Sequence, residues 1–347
     1  MENKMKAILL EKINKAVMKE IPVPSCGKGE ILIRTKAATV CTSDILVMRH
    51  NLFNLTLPLV MGHESAGVIT AIGEGVSGLA IGDEVAVHPV MPCRKCTSCL
   101  RGLDHLCDEM EELGFTRAGV FAEYFVTRPD RVRKKPSEIS FSLAALIEPV
   151  CVCLEAINRA KVKSGDNILV VGDGPFGIMV SKLCVSRHPN MIIHTGRYDE
   201  RLKYIEGNHN NGTDIKIINE KKTPDMVGKI MELTGNTGVD SAILCVSNPN
   251  AVDLCIDVLR SRGILAVFAA LKEKTPVDLL RVHIKELTIT GANNDENLMD
   301  DAVGLLTAPE LNLNSIITHE IPFEKWEEAF NLVENSKDSC LKVSLIF

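Results

Sequence analysis

The sequence predicts an α/β protein in which a β-rich domain precedes a doubly wound parallel sheet. The chain has 347 residues, more than one domain usually holds, and 46% of them are hydrophobic, enough for two cores. Up to about residue 150, short apolar runs alternate with Gly, Pro and Asp, which is typical of an irregular β domain. After Pro149, apolar runs alternate with helical stretches, which indicates a parallel sheet.

The individual elements follow from the same patterns. In the β-rich part, the apolar runs include strands at 31–33 and 84–87. The second part is predicted to hold strands at 168–171, 191–193, 241–246 and 264–268, with helices to about 187 and over about 251–260. The last fifty residues break this rhythm, with a helix around 323–334 and a strand at 341–347.

Composition excludes several classes of function. The formal net charge of −6 provides no basic surface for nucleic acid. The N-terminal apolar stretches are interrupted by charges, and no later apolar stretch is long enough to span a bilayer. We therefore expect a cytoplasmic protein without nucleic-acid or membrane partners.

Four cysteines form the most specific motif, Cys93-x2-Cys96-x2-Cys99-x7-Cys107. Four thiolates at this short spacing can surround a tetrahedral zinc ion and leave no coordination position open. The motif predicts a structural zinc site, the alternative being four unrelated thiols. The remaining cysteines, apart from Cys41, are interpreted as small buried hydrophobic residues.

A glycine-rich turn, GDGPFG, follows the predicted strand 168–171 and begins an apolar helix. In this context Gly172 permits a tight turn, Gly174 allows a pyrophosphate to approach the backbone, and Gly177 allows close helix–strand packing. Together with Pro175 and Phe176, these glycines predict a dinucleotide site. The alternative is an ordinary glycine-rich loop.

The end of the next strand bears on which dinucleotide is bound. NAD-binding sites have an acidic residue here that accepts a hydrogen bond from the ribose, but this chain reads Thr195-Gly196-Arg197. A guanidinium can pair with a 2′-phosphate, so NADP(H) is favoured over NAD(H). Alternatively, Arg197 is a solvated surface charge and Asp199 contacts the ribose.

Another group of candidate metal ligands is dispersed along the first half of the chain: Cys41 in CTSD, His63 and Glu64 in GHESAGV, and Glu148 in IEP. Singly, Cys41 could be a core thiol, His63 a turn histidine and Glu148 a helix-end charge. Together they offer sulfur, nitrogen and oxygen ligands, which suit a catalytic zinc with an open position.

The order of these motifs resembles that of zinc-containing alcohol and polyol dehydrogenases of the medium-chain dehydrogenase/reductase family. The resemblance extends over nearly the whole chain, through CTSD, GHESAGVI, the four cysteines, GFTRAGVFAEY, IEP and VVGDGPFG. It implies a GroES-like β-rich catalytic domain at 1–153, completed by 291–347, and a Rossmann dinucleotide-binding domain at 154–290.

The resemblance also implies roles for individual residues. Cys41 and His63 match zinc ligands, and Glu64 and Glu148 match positions that bind the zinc directly or through its water. Asp44 matches the carboxylate that orients the ligand histidine.

The implied proton path departs from the family pattern in one place. Ser43 matches the hydroxyl that takes the proton from the substrate alcohol. Many relatives have a histidine five residues after the cysteine ligand, whereas this chain has Leu46. His50 is too remote in sequence to be assigned the role, so water or another polar group must complete the relay.

The implied reaction is hydride transfer between NADP(H), or NAD(H), and a secondary alcohol or polyol, with two zinc ions per chain. The resemblance leaves open a sugar-alcohol phosphate or aminocyclitol as substrate, and suggests a homodimer or homotetramer with a seam near 267–271. Competing hypotheses are a zinc-free quinone or enone reductase and a catalytically silent zinc-binding interaction protein.

Overall fold

The computed structural model describes residues 3–51, 54–205, 212–271, 274–336 and 338–347. They form two compact units. Unit 1 contains the described residues of Met1–Val150, Glu296–Thr307 and Ile317–Phe347, and unit 2 those of Cys151–Asp295 and Ala308–Ile316. The sequence-based partition differs at residues 151–153, 291–295 and 308–316, which it assigned to the first domain.

The described residues contain eighteen strands in chain order: β1 (Lys4–Lys12), β2 (Lys15–Pro22), β3 (Ile31–Val40), β4 (Leu59–Val60), β5 (Glu64–Ile72), β6 (Glu84–Val87), β7 (Val90–Met91), β8 (Glu111–Glu112), β9 (Tyr124–Thr127), β10 (Val132–Lys134), β11 (Asn167–Val171), β12 (Met191–Gly196), β13 (Asp214–Asn219), β14 (Val239–Leu244), β15 (Leu259–Val267), β16 (Thr288–Gly291), β17 (Ile317–Pro322) and β18 (Lys342–Ile346).

The same residues contain eleven α-helices: α1 (Thr42–His50), α2 (Thr97–Leu100), α3 (Phe141–Ala144), α4 (Ile147–Arg159), α5 (Pro175–Cys184), α6 (Asp199–Leu202), α7 (Met226–Leu233), α8 (Asn250–Val258), α9 (Leu279–Ile284), α10 (Met299–Leu306) and α11 (Trp326–Asn335). Short 3-10 helices lie at Asp104–Leu106, Pro129–Arg131, Val185–Arg187, Pro309–Leu311, Leu313–Ile316 and Phe323–Lys325. Within the described ranges, none of the helices has both the length and the apolar character that a bilayer span requires.

Unit 1 is built around a seven-stranded sheet in the order β10-β6-β5-β3-β18-β17, with β9 also pairing with β3. Strand β3 is antiparallel to both β5 and β18. Ile31, Ile33 and Thr35 are buried, as expected when alternate side chains of a strand face the core. A three-stranded sheet, β2-β1-β4, and a two-stranded sheet, β7-β8, complete the β-rich unit.

Unit 2 contains a six-stranded sheet in the order β13-β12-β11-β14-β15-β16, and all five pairings are parallel. Residues 168–171 of β11 are completely buried, which accounts for the continuous apolar run in the sequence. The chain continues from β11 to β12 on one side, and β14 lies on the other side. The glycine turn after β11 therefore lies where the strand order reverses, the usual ligand position in doubly wound sheets.

One helix boundary differs from the prediction. The helix expected over 251–260 ends at Val258, and β15 begins at Leu259. Leu259 is buried and pairs with Val239 of β14, while the guanidinium Nε of Arg260 lies 2.6 Å from an Asp240 carboxylate oxygen. The helix thus ends two residues earlier than predicted, because the chain pairs with β14 from Leu259 onward.

A buried ion pair connects three adjacent strands of unit 1. Thr39 of β3 lies opposite Glu64 of β5 and Ser344 of β18. Lys342 is two residues from Ser344 and therefore lies on the same face of β18. Its Nζ is 2.5 and 2.6 Å from the two Glu64 carboxylate oxygens, and the Thr39 hydroxyl donates to the same carboxylate. The Lys342 and Glu64 side chains are only 2% and 0% exposed.

The Lys342→Met substitution should lower the free energy of unfolding by about 3–5 kcal/mol, because the Glu64 carboxylate would remain buried without its counter-charge. Urea denaturation of the purified protein measures this change. The double substitution Glu64→Gln with Lys342→Met should recover most of the loss, since both buried charges are then absent.

Lys28→Met serves as the matched control. Lys28 pairs with Glu74, but these side chains are 76% and 79% exposed, so the control should change the unfolding free energy by less than about 0.5 kcal/mol. Equal losses in the Lys342 and Lys28 variants would contradict the structural role of the buried pair.

Candidate active site and metal centres

Asp44 positions two of the candidate zinc ligands in unit 1. Its Oδ2 accepts a hydrogen bond from the backbone N–H of Cys41 at 2.8 Å, and its Oδ1 lies 3.0 Å from Nδ1 of His63. Cys41 caps the N-terminus of α1, and Asp44 lies in the first turn of this helix. All three side chains are buried. A hydrogen bond on Nδ1 fixes the histidine ring and leaves Nε2 for a metal.

Glu64 lies beside this pair. Its Oε1 is 3.8 Å from Nε2 of His63. Cys41, His63 and Glu64 each offer a ligand atom within 4.8 Å of the others. Burial lowers the pKa of His63, but the charge of Asp44 and the contact with Cys41 raise it by more, so the pKa is well above its usual value. The predicted ligands are therefore brought together in a strongly anionic setting.

Glu148, in the first turn of α4, is the fourth candidate. Its side chain is buried, and its Oε2 has no hydrogen-bond partner among the described residues. Burial, followed by the charge of Glu64, raises the pKa of Glu148 to about 8. A buried carboxyl group with an unpartnered oxygen fits a nearby cation, which would favour the ionised form. The sulfur, nitrogen and oxygen donors of this site thus fit a zinc ion.

The residues of the predicted proton path lie along α1. Ser43, in its first turn, is partly exposed, and Leu46 follows one turn later. His50 is the last residue of the helix and is exposed. Leu46 has no titratable group, and His50 lies at the opposite end of α1 from Cys41.

The four cysteines within residues 93–107, a segment called the four-cysteine lobe, also lie together. Cys93, Cys96, Cys99 and Cys107 place their sulfurs within 4.8 Å of one another, and Sγ of Cys96 is 3.8 Å from Sγ of Cys107. Thiolates about 2.3 Å from a tetrahedral zinc ion are about 3.8 Å apart, so this separation fits the metal. Backbone hydrogen bonds from Cys99 and Asp108 lower the pKa of the Cys96 thiol to about 7, whereas burial raises the pKa values of Cys99 and Cys107. A bound cation would favour the thiolate form of all of them.

The glycine turn in unit 2 has the geometry that its sequence requires. Gly172 has φ of +120°, which favours glycine. Gly174 caps α5, and Pro175 is the first helical residue. A β-carbon on Gly177 would lie 1.8 Å from the carbonyl oxygen of Gly172. Any side chain at position 177 would therefore prevent α5 from packing this closely against the turn. Phe176, predicted to bind the cofactor, packs edge-on against Phe268 with ring centroids 5.5 Å apart.

A cavity of about 400 Å³ adjoins this turn. Gly172, Asp173, Gly196, Arg197 and Glu220 line it, together with residues 246–248 and 250. Thr195, also predicted, is buried, and its hydroxyl lies 3.4 Å from Oε1 of Glu220.

The two alternatives for the ribose contact can now be compared. Nε of Arg197, at the cavity, lies 3.1 Å from Oε2 of Glu220, and the Arg197 side chain remains 58% exposed. Asp199 is not among the residues that line the cavity and accepts hydrogen bonds from Asn219 and Lys222. The Lys222 contact lowers the pKa of Asp199. Arg197, rather than Asp199, is therefore the residue at the cavity.

Sequence reasoning missed two groups of residues at these sites. Thr39 and Lys342 hold Glu64, and the cavity beside the glycine turn is also lined by Asp173, Glu220 and residues 246–248 and 250. Only Asp173 lies within a recognised motif, in which it occupies the variable position between Gly172 and Gly174. An acidic residue next to a glycine in a phosphate-binding turn is the signal that could have identified it.

Comparison with known proteins supports the assignment of both units. A family model described as an alcohol dehydrogenase GroES-like domain matches residues 27–137. A second model, described as a zinc-binding dehydrogenase, matches residues 175–308. Together these matches cover more than half of the chain.

Individual relatives are similar over nearly their whole length. An L-threonine 3-dehydrogenase from Pyrococcus horikoshii is 31% identical, with 97% of each chain covered. A sorbitol dehydrogenase from Halalkalibacterium halodurans is 27% identical, over 92% of this chain and 93% of the relative. The solved structure of a short chain alcohol dehydrogenase from Escherichia coli CFT073, complexed with NADH, is 28% identical, covers 99% of both chains and has a TM-score of 0.90.

These matches confirm the resemblance, the GroES-like and Rossmann fold classes and the oxidoreductase function that the sequence predicts. The chain belongs to the zinc-binding dehydrogenase family, in its alcohol and polyol dehydrogenase group.

Proposed function

We propose that this protein transfers a hydride between NADP(H), in preference to NAD(H), and a secondary alcohol or polyol. The observation that carries the proposal is the convergence of Cys41, His63 and Glu64 in a buried cluster. Unrelated core residues would not be expected to combine a soft sulfur, an imidazole and a carboxylate at one point.

In this proposal Cys41 and His63 hold the catalytic zinc. Glu148 supplies a carboxylate oxygen or holds a water beside the metal, because its Oε2 has no other partner within the described chain. Glu64 stays on Lys342 and Thr39 and contributes negative charge, since its departure would leave the Lys342 ammonium buried without a counter-charge. With zinc and the dinucleotide bound, the zinc would supply a lowered pKa for the substrate hydroxyl, and the nicotinamide would be the hydride carrier.

In this proposal Ser43 accepts the proton of the substrate hydroxyl. Its position in the first turn of α1, two residues after Cys41, suits contact with a molecule bound at the metal. Asp44 does not take part in the transfer but holds the His63 ring. Because Leu46 has no titratable group, solvent or another polar group must carry the proton onward.

The four-cysteine lobe is assigned a second, structural zinc. Four protein ligands leave no open position, so this ion would stabilise residues 93–107 without contacting substrate. The twelve cysteines of the chain are all free thiols in the structure. A cytoplasmic location, where thiols stay reduced, forms part of the proposal.

Preference for NADP(H) is supported by Arg197. Its guanidinium lies at the cavity, and Gly196 contributes no carboxylate of its own to repel a 2′-phosphate. A guanidinium is well suited to bind phosphate through paired hydrogen bonds.

The substrate class is supported by the named relatives. L-threonine has a hydroxyl group on a secondary carbon at position 3, and sorbitol is a polyol with several secondary hydroxyl groups. The relatives named for these substrates align over more than nine-tenths of the chain.

Metal analysis combined with turnover tests the proposal. Wild-type protein should contain about two zinc ions per chain. It should also reduce NADP⁺ with at least one member of a panel of secondary alcohols, polyols and threonine, measured by absorbance at about 340 nm, and a chelator should abolish this activity. Cys41→Ala should retain about one zinc and bind the dinucleotide while losing turnover by about a thousandfold or more.

Cys26→Ala is the matched control, because Cys26 is a partly buried thiol outside both clusters. It should retain two zinc ions and wild-type turnover. A Cys41→Ala variant with two zinc ions and full activity would remove Cys41 from the mechanism.

A homodimer or homotetramer is also proposed, and the described residues offer a suitable surface in unit 2. Strand β16 forms an edge of the six-stranded sheet, and its Ile289 is 40% exposed. Leu279, Leu280 and Ile284 of α9 are 71%, 65% and 68% exposed. Open edges and clustered apolar side chains favour association.

Sedimentation velocity at micromolar concentration should therefore show a species of two or four chains. Replacing Ile289 by Lys should shift the distribution toward the monomer, because a charge would then lie at the open edge. A wild-type protein that sediments as a monomer would contradict the proposed assembly.

A further inference from the structure

Asp173 occupies the space beside Gly196. Asp173 is the second residue of the glycine turn after β11, and Gly196 is the last residue of β12. A β-carbon at position 196 would lie 2.5 Å from Cβ and 2.8 Å from Oδ2 of Asp173. The side chain missing from position 196 is thus replaced in space by a carboxylate that comes from the neighbouring turn.

This carboxylate binds two successive backbone amides. Oδ2 of Asp173 accepts hydrogen bonds from the N–H of Arg197 at 2.6 Å and from the N–H of Tyr198 at 2.7 Å. Successive N–H groups that converge on one oxygen form an anion-binding site. In this chain the anion is the protein's own carboxylate.

The anion site opens on the dinucleotide cavity. Asp173, Gly196 and Arg197 all line that cavity. Glu220 lines it as well, and its backbone N–H donates to the carbonyl of Gly196 at 2.8 Å while its Oε2 contacts Nε of Arg197. One guanidinium and two carboxylates therefore share this end of the cavity, and their formal charges sum to −1.

A 2′-phosphate would compete with Asp173 for the backbone amides at this end of the cavity. A phosphate monoester brings a charge of about −1.5 to −2 and strong acceptor oxygens, which need N–H donors. Arg197 can supply its outer guanidinium nitrogens, but the amides of Arg197 and Tyr198 are already bonded to Asp173. The hydroxyl of an unphosphorylated ribose brings no charge and can donate to Oδ1 of Asp173, which receives no hydrogen bond from the described residues.

We infer that Asp173 limits the cofactor selectivity of this protein: its carboxylate fills the anion site at the end of β12, opposes a 2′-phosphate and accepts a ribose hydroxyl. The preference for NADP(H) that Arg197 confers is consequently small, and the protein uses both cofactors. This inference rests on the proposed function in so far as a nicotinamide dinucleotide binds in the cavity.

Dissociation constants of NADPH and NADH for the zinc-loaded protein, from fluorescence titration, test the inference. Asp173→Ser frees both amides and removes the charge. It should shift the ratio of the two constants toward NADPH by about tenfold or more, since the phosphate regains at least one charge-assisted hydrogen bond. Asp173→Asn keeps the size of the side chain and an acceptor oxygen, so it should shift the ratio in the same direction by less.

Asp199→Asn is the matched control. Asp199 is an exposed carboxylate close in sequence to the anion site, but it pairs with Lys222 and Asn219 and is not among the residues that line the cavity. Its removal deletes the same charge, so an unchanged ratio would show that the effect of Asp173 is local.

The outcomes separate the inference from the proposed function. If wild-type protein binds dinucleotide but both Asp173 variants leave the ratio within about twofold, or change it as Asp199→Asn does, the inference is overturned and the proposed function stands. If wild-type protein binds neither dinucleotide, both are overturned. The Asn variant decides the question if the Ser variant does not fold.

Discussion

The buried pair of Glu64 and Lys342 is the constraint on which the rest of unit 1 depends. Residue 342 is in the terminal strand, and Glu64 begins a strand 278 positions earlier. Burying either charge alone would cost several kcal/mol, so the pair is stable only when β18 lies beside β3 and β3 beside β5. Glu64 directly follows His63 in the sequence, so the strands that bury the ion pair also hold Glu64 at the candidate metal site.

The pair also sets the electrostatics of this site. Burial lowers the pKa of Lys342, but nearby negative charges, chiefly that of Glu64, raise it overall. The charge of Lys342 lowers the pKa of Glu148 and so offsets part of the effect of Glu64. Asp44 adds a further carboxylate behind His63. A dication is the natural counter-charge for such a cluster, and a zinc ion with one open position suits its mixed donors.

The charge at the candidate site of unit 2 is fixed differently from the charge at the metal site of unit 1. In unit 1, buried carboxylates lie where a cation would be stabilised, whereas in unit 2 two successive backbone amides already bind the carboxylate of Asp173. Both arrangements fix the charge that an incoming group must have. The first site favours a metal ion. At the second site, Asp173 opposes a further negative group and so offsets part of the attraction that Arg197 exerts on a phosphate.

Local patterns predicted much of this arrangement. The parallel sheet, the glycine turn and the four-cysteine lobe follow from short-range spacing, because their residues are close in sequence as well as in space. Lys342 could not be predicted in this way, because its partner is 278 residues distant and a lysine side chain is ordinarily exposed. The role of Asp173 could not be predicted for a different reason: Asp173 lies against Gly196 only in the folded turn. The end of α8 was misplaced because pairing of Leu259 with Val239 overrides a helical pattern.

The most direct test of the account is a crystal structure of the zinc-loaded protein with anomalous diffraction measured at the zinc edge. The account predicts an anomalous peak bonded to Sγ of Cys41 and Nε2 of His63, with an oxygen of Glu148 or a water that it holds as a neighbour. Both oxygens of Glu64 should remain on Lys342 and Thr39. The absence of a peak at Cys41 and His63, or a Glu64 that has left Lys342 to bind the metal, would contradict it.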